Sequence, residues 1–203
     1  MNPRDQTRQN YNRLAKWYDL FAGSEKRFTD IGIQMLDVQP DERVLEIGCG
    51  TGHALNKFAK TGGKVVAIDL SEKMLKAARG KIQGRKVSLC QADGLRLPFA
   101  SHEFTKIFIS FTLELFETPE IPQMLSEIHR MLEGNGKLGV VSLARQERLA
   151  VHIYEWFHRQ MPTLVDCHPI YLQPVLKEAG FQVQKSTIKT MWGLPVEIVV
   201  ARK

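Results

Sequence analysis

The segment VLEIGCGTGHAL, Val44 to Leu55, limits the fold more than any other part of the chain. A short apolar run, Arg43 to Ile47, carries Glu46 near its end. Gly48, Gly50 and Gly52 follow at alternate positions, and a helical pattern starts at His53. Glycines spaced this way let the main chain turn tightly and let a ligand come close to the backbone. The helix behind them offers unpaired N–H groups at its N-terminus. Strand, glycine turn and helix in that order read as the opening of a βαβ unit.

The rest of the chain repeats the alternation. Lys64–Asp69 reads as a second strand after the Gly62-Gly63 turn. Ser71 is placed to cap a helix whose Met74, Leu75 and Ala78 recur at helical spacing. Val87–Gln91 and Lys106–Phe111 read as the third and fourth strands. Pro119–Leu132 reads as an amphipathic helix stopped by Gly134-Asn135-Gly136, and Lys137–Leu143 as a fifth strand. Leu172–Ala179, closed by Gly180, is a helix before an antiparallel pair, Phe181–Thr190 and Val196–Arg202. The pattern predicts an α/β fold, doubly wound, with a mainly parallel sheet and helices on both faces. Ligands of such sheets lie beyond the carboxyl ends of the strands, near the point where strand order reverses.

With 203 residues, 43% apolar and 25% charged, and no repeat or linker, the chain reads as one globular domain. No apolar run nears the roughly 20 residues that span a bilayer, and Met1–Gln9 has no signal-like apolar stretch. Cys49, Cys90 and Cys167 lie far apart. They form no metal-ligand pattern and read as buried thiols in a reducing, cytoplasmic setting. The formal charge of +6 is spread along the chain. Groups such as Lys76-Arg79-Lys81 and Arg85-Lys86 lack aromatic interleaving, so a solvated basic surface is expected rather than a nucleic-acid footprint.

The ligand's charge can be read from the turn. A dinucleotide site uses G-x-G-x-x-G and would need glycine where His53 stands. Glu46 would oppose a diphosphate but favour a ligand with an ammonium or sulfonium, such as S-adenosylmethionine. Asp69, 21 residues past Gly48 at the end of the second strand, suits a ribose diol. Asp93 suits an adenine amino group, with Leu95 and Leu97 placed to cover the ring.

VLEIGCGTG, AIDLS and QADGLRLPF together resemble the successive motifs of class I S-adenosylmethionine-dependent methyltransferases. YNRLAKWYDLF and the LPF segment are most similar to the branch holding the ubiquinone and menaquinone biosynthesis methyltransferases and small phospholipid N-methyltransferases. The likeness runs from about Tyr11 to the C-terminus. It implies a Rossmann-like, seven-stranded sheet with an antiparallel last strand. It also implies S-adenosylmethionine held by Gly48, Gly50 and Gly52, with Asp69 on the ribose and Ala92 and Asp93 beside adenine. Ser110 and Phe111 are then at the methionine end, and Glu46, Cys49, Leu70 and Gly94 are placed with them. Thr105 stands where that family usually carries Asp.

Methyl transfer needs alignment and water exclusion, and for some acceptors a base. No metal is expected. Residues 1–30 are expected to form lid helices, with Tyr18 on the cofactor or acceptor. Tyr11–Phe21 also has the basic, amphipathic pattern of a peripheral membrane contact. Residues 41–143 are the expected cofactor-binding core, 145–172 an acceptor-side insertion and 173–203 a closing helix and strand pair. His168, Tyr171 and Glu114 are candidates for acceptor contacts or a base, although Glu114 reads first as a solvent-facing acid at a helix start. Trp192 reads as either core or rim. The expected acceptor is a small or lipid-like molecule. The alternatives are a catalytically silent S-adenosylmethionine-binding regulatory module or an NAD-dependent oxidoreductase.

Overall fold

A computed structural model of the chain describes residues 8–12, 23–82, 87–146 and 167–203. The strands are β1 (Arg43–Ile47), β2 (Lys64–Asp69), β3 (Val87–Gln91), β4 (Phe104–Ser110), β5 (Leu132–Leu143), β6 (Gln182–Met191) and β7 (Leu194–Arg202). They form one sheet in the order β3-β2-β1-β4-β5-β7-β6. Pairing is parallel from β3 through to β5, and β7 runs antiparallel to both its neighbours. The chain moves outward from β1 to β3 and then returns to lay β4 on the other side of β1. The crevice therefore belongs between the ends of β1 and β4.

Helices cover both faces: α1 (Gly23–Leu36), α2 (His53–Phe58), α3 (Glu72–Lys81), α4 (Ile121–Met131) and α5 (Leu172–Glu178). Covering both faces makes the central strands apolar throughout rather than alternating. In β4 every position from Lys106 to Ile109 is buried. Ile107 and Ile109 pack with α4 and α5, whereas Phe108 packs with α1 and α2. In β1, Leu45 and Ile47 face the α4 side and Val44 the α1 side. Strand alternation puts Glu46 on the same side as Val44. Lys106 is a buried cation on that side. Its Nζ donates to the Leu36 and Asp37 carbonyls at 2.8 and 2.9 Å and pairs with Glu42 at 3.1 Å, closing the C-terminal end of α1.

The expected elements are present, with three differences. Pro119 lies in a 3-10 turn, Thr118–Glu120, and α4 starts after it. The helix ends at Met131, not at the glycines, because Leu132 is fully buried and pairs with Phe104. Gly134-Asn135-Gly136 instead forms an irregularity within β5, where pairing steps from Phe104↔Leu132 to Lys106↔Lys137. Of the three cysteines only Cys49 is buried. Cys90 sits on edge strand β3 and Cys167 precedes α5, and both are half-buried.

Thr105 has a structural role. Its hydroxyl accepts from the Arg43 N–H and donates to the Arg43 carbonyl, both at 3.0 Å, stitching the start of β1 to β4.

Candidate active site

The three loop glycines all adopt positive φ: 72° at Gly48, 50° at Gly50 and 83° at Gly52. Two of them also have no room for a side chain. A Cβ on Gly48 would lie 2.3 Å from the Thr112 hydroxyl, and one on Gly52 would lie 3.0 Å from Ala78 Cβ in α3. The Gly48 and Cys49 N–H groups both donate to Ile68 O, which hangs the loop on the end of β2.

Asp69 fixes the loop further. One carboxylate oxygen accepts from Gly50 N and the other from Ser71 N, each at 2.8 Å. Burial pushes its carboxyl up, and hydrogen bonds from Ser71 and Gly50 act against that rise. Ser71 in turn caps α3 by accepting from Met74 N at 3.2 Å, as its position predicts. The Ser71 hydroxyl also donates to Asn12 of the helical stretch 8–12 at 2.7 Å, so the N-terminal segment reaches this rim. Tyr18 lies outside the described residues.

A cleft opens at the carboxyl ends of β1 and β4. The glycine loop from Gly48 to Thr51 forms its floor, joined by Glu46, His53 and Ala54. Ser110 and Phe111 form one wall, and Glu25, Lys26 and Thr29 of α1 form the other. Phe111 has φ of 49°, costly for a residue with a bulky side chain, and is held there by its N–H on Val141 O at 2.8 Å. The Ser110 and Thr29 hydroxyls are 2.7 Å apart. Asp30 ties α1 to the helix behind the glycines through His53 at 2.7 Å and Lys57 at 2.6 Å. Burial raises the Asp30 carboxyl, but the two partners hold it below the usual range.

Glu46 is the least compensated group in the cleft. It is 4% exposed, and its Oε2 has no hydrogen-bond partner among the described residues. Burial, and then the nearby Asp69, push its carboxyl well above the usual value. A bare buried carboxyl is matched by a ligand that brings a cation or a hydrogen-bond donor to it. Cys49 is buried, and burial followed by Glu46 and Asp69 raises its thiol, which makes it unreactive.

Leu70, Ala92, Asp93 and Gly94 follow the ends of β2 and β3, and neither they nor Asp69 are among the residues lining the cleft. Leu70 O accepts from the Gln91 side chain at 3.0 Å, and Asp69 O accepts from Ala92 N at 3.3 Å. Asp93 Oδ1 accepts from Leu95 N at 3.0 Å. Gly94 is packed under Phe116, whose Cζ would be 2.7 Å from an added Cβ. Leu97 belongs to the core under α4, whereas Leu95 is only partly buried.

Among the acceptor-side candidates, Glu114 requires a correction. It is fully buried, not solvent-facing, because the chain after β4 turns into a 3-10 helix packed over the ends of β4 and β5. Its Oε1 accepts from Leu143 N at 3.1 Å, and Oε2 has no partner among the described residues. Burial is the main cause of a carboxyl pushed up to about 7. The His168 backbone N–H donates to the Glu114 backbone carbonyl at 3.2 Å. Tyr171 is 49% exposed, with the Arg145 guanidinium 5.5 Å from its ring centre. None of these three is among the residues lining the cleft. Trp192, 78% exposed, is a rim residue.

The expectation of lid helices over residues 1–30 did not single out the wall residues Glu25, Lys26 and Thr29 or the link from Asp30 to His53. The signal was present in GSEKRFTDIGIQML, where Phe28, Gly32 and Leu36 recur every four residues and are buried.

A switch-point cleft with a glycine floor and acids at the ends of successive strands defines a nucleoside-binding Rossmann-like protein. Comparison with known proteins narrows the class. Residues 44–136 match the family described as Methyltransferase domain. A demethylmenaquinone methyltransferase of Corynebacterium kroppenstedtii is 35% identical over 143 residues, covering 68% of this chain and 59% of that protein. Its Lactobacillus johnsonii counterpart is 30% identical over 147 residues, covering 66% and 59%. The structure of Burkholderia thailandensis 1,6-didemethyltoxoflavin-N1-methyltransferase, with bound 1,6-didemethyltoxoflavin and S-adenosylhomocysteine, superposes with a TM-score of 0.74. It is 16% identical and covers 98% of this chain and 88% of that one. The chain spans about three fifths of the length of the curated relatives it matches. Residues 44–136 are thus similar to that methyltransferase domain, and the chain has the fold of the superposed structure.

Proposed function

We propose that this chain binds S-adenosylmethionine and passes its methyl group, by in-line displacement, to a small, lipid-like acceptor of the quinol type. The observation that carries the reading is Glu46, a buried carboxyl with an unpartnered oxygen opening onto the glycine floor. The cavity fits this cofactor on that ground. Among the described residues no helix is long and apolar enough to cross a membrane.

When bound, S-adenosylmethionine supplies a methyl carbon on a positively charged sulfur. Glu46 would accept hydrogen bonds from the ammonium of its amino-acid end. Asp69 would accept from the ribose hydroxyls with the lone pairs left over from Gly50 and Ser71. Asp93, with Ala92, Leu70 and Gly94 around it, would hold the adenine. Ser110 and Phe111 would fix the wall beside the reacting carbon and keep water away. The acceptor must lose a proton. Glu114 is fully buried, and neither it nor His168 nor Tyr171 lines the cleft, so none of the three is assigned as its destination. The quinol-type acceptor is supported by the names of the relatives.

Calorimetry with S-adenosylmethionine, S-adenosylhomocysteine and NAD should give binding, binding and no binding. Labelled cofactor with a panel of demethylated quinols should then yield labelled product. Retention of NAD with indifference to the sulfonium compound would overturn the reading.

A further inference from the structure

Trp192 occupies a position where the fold gains nothing from it. Met191 pairs with Leu194, leaving a two-residue hairpin loop in which Trp192 has φ of 50° and Gly193 φ of 85°. Two positive φ values make this a type I′ turn, which favours Asn-Gly and penalises a side chain with a bulky Cβ substituent. The indole is 78% exposed, so burial does not offset that cost.

The surroundings of the turn explain such a residue. β6 runs in the direction of the parallel strands, so the turn lies at the carboxyl edge, where the cleft opens. A row of backbone contacts crosses that edge: Met191↔Leu194, Ala144 N on Pro195 O at 2.8 Å, and the Ala144↔Ile170 bridge. Trp192 and Tyr171 each lie one residue beyond this row. They are separated by about three strand spacings, roughly 15 Å. Arg27 donates to Thr190 O at 2.9 Å, Lys189 is exposed on β6, and Arg145 lies over Tyr171. Glu197, the acid in β7, is 6% exposed and takes a 2.7 Å hydrogen bond from Gln173.

We propose that the Trp192 hairpin tip, with the Arg27, Lys189 and Arg145 cations, seats this edge of the protein on an anionic lipid surface. Tryptophan and tyrosine favour the bilayer interface, and Lys and Arg are drawn to anionic headgroups. A net charge of +6 acts in the same direction. Two rings about 15 Å apart on a strand edge are too sparse for a stable protein interface, which needs about 1,000 Å² of contact. The proposal stands apart from methyl transfer and is tested without cofactor or acceptor.

The test uses the full chain with phosphatidylcholine vesicles, with and without phosphatidylglycerol, and compares Trp192→Asn with the parent. Asn suits the turn, so the variant should fold and melt about 2 °C higher. Its binding to the anionic vesicles should be about tenfold weaker. The parent's binding should need phosphatidylglycerol and weaken with salt. Equal binding by the variant, or no binding by the parent at low salt, would overturn the proposal. So would a lower melting temperature for the variant, which would make the ring a packing residue. Self-association of the parent that the variant abolishes would overturn it in favour of a second copy of the chain.

Discussion

Asp69 and Gly50 are joined at 2.8 Å by a hydrogen bond from the loop N–H to a half-buried carboxylate, whose other oxygen holds Ser71 N at the same distance. The residue proposed for the ribose therefore also shapes the floor of the cleft. Asp69→Ala should weaken S-adenosylmethionine by about 1.5–3 kcal/mol, the scale of hydrogen bonds to a charged group. It should also lower the melting temperature by a few degrees, because two buried N–H groups lose their acceptor. Calorimetry and a thermal melt on the same preparation check both. Unchanged affinity in a folded variant would remove Asp69 from the site.

Glu46 should make cofactor binding depend on pH. Its carboxyl is raised in the free protein by burial and by Asp69. An ammonium beside it would hold it ionised and so lower its value in the complex. Binding should then release a proton, and affinity should climb as pH rises towards the free protein's raised value and level off above it. Calorimetry in buffers of different ionisation enthalpy reads the proton directly. Glu46→Gln should bind more weakly and release none.

Glu114 should cost the fold stability at high pH. A carboxyl raised from 4.5 to about 7 by burial leaves the folded state neutral while the unfolded chain ionises. Its contribution is intact below pH 4.5 and is lost as pH climbs to about 7. At about 1.4 kcal/mol per pH unit, that loss is about 3 kcal/mol. Glu114→Gln keeps an acceptor for Leu143 N, so it should stabilise the protein at pH 8 by about that amount and do little at pH 4. Denaturant titrations at the two pH values test this.

Thr105 should matter to the fold and not to the ligand. One hydroxyl serves both the N–H and the carbonyl of Arg43. Thr105→Val should cost about 1–2 kcal/mol by leaving both groups unmet, with S-adenosylmethionine affinity unchanged. Thr105→Asp should also destabilise, since an ionised carboxylate accepts from the N–H but repels the carbonyl.

Much of the fold was legible in the chain because it rests on local chemistry. The glycines at 48, 50 and 52 announce positive φ, Ser71 announces a cap, and the spacing of Met74, Leu75 and Ala78 announces a helix face. The order of strands and helices along the chain is enough to predict a doubly wound sheet, and the motifs locate the ligand at its switch point. Glu114 was misread because an acid after a strand is usually solvated. Its burial follows from how residues 113–115 pack against the far end of β5, which no local pattern records. For a related reason the α1 wall was not singled out. Its Asp30 meets His53 across 23 residues and its Thr29 meets Ser110 across 81.

The sequence by itself determined the strand–turn–helix unit, the succession of acids at strand ends and the class of ligand these suit, since each depends on residues within a few positions of one another. Only the tertiary structure decided which carboxyls are stripped of water and partners, what closes the cleft, and that Trp192 faces solvent. Burial and pairing are set by segments far apart in the chain coming into contact, and the energy of a charged or aromatic group depends on that contact more than on its neighbours in sequence.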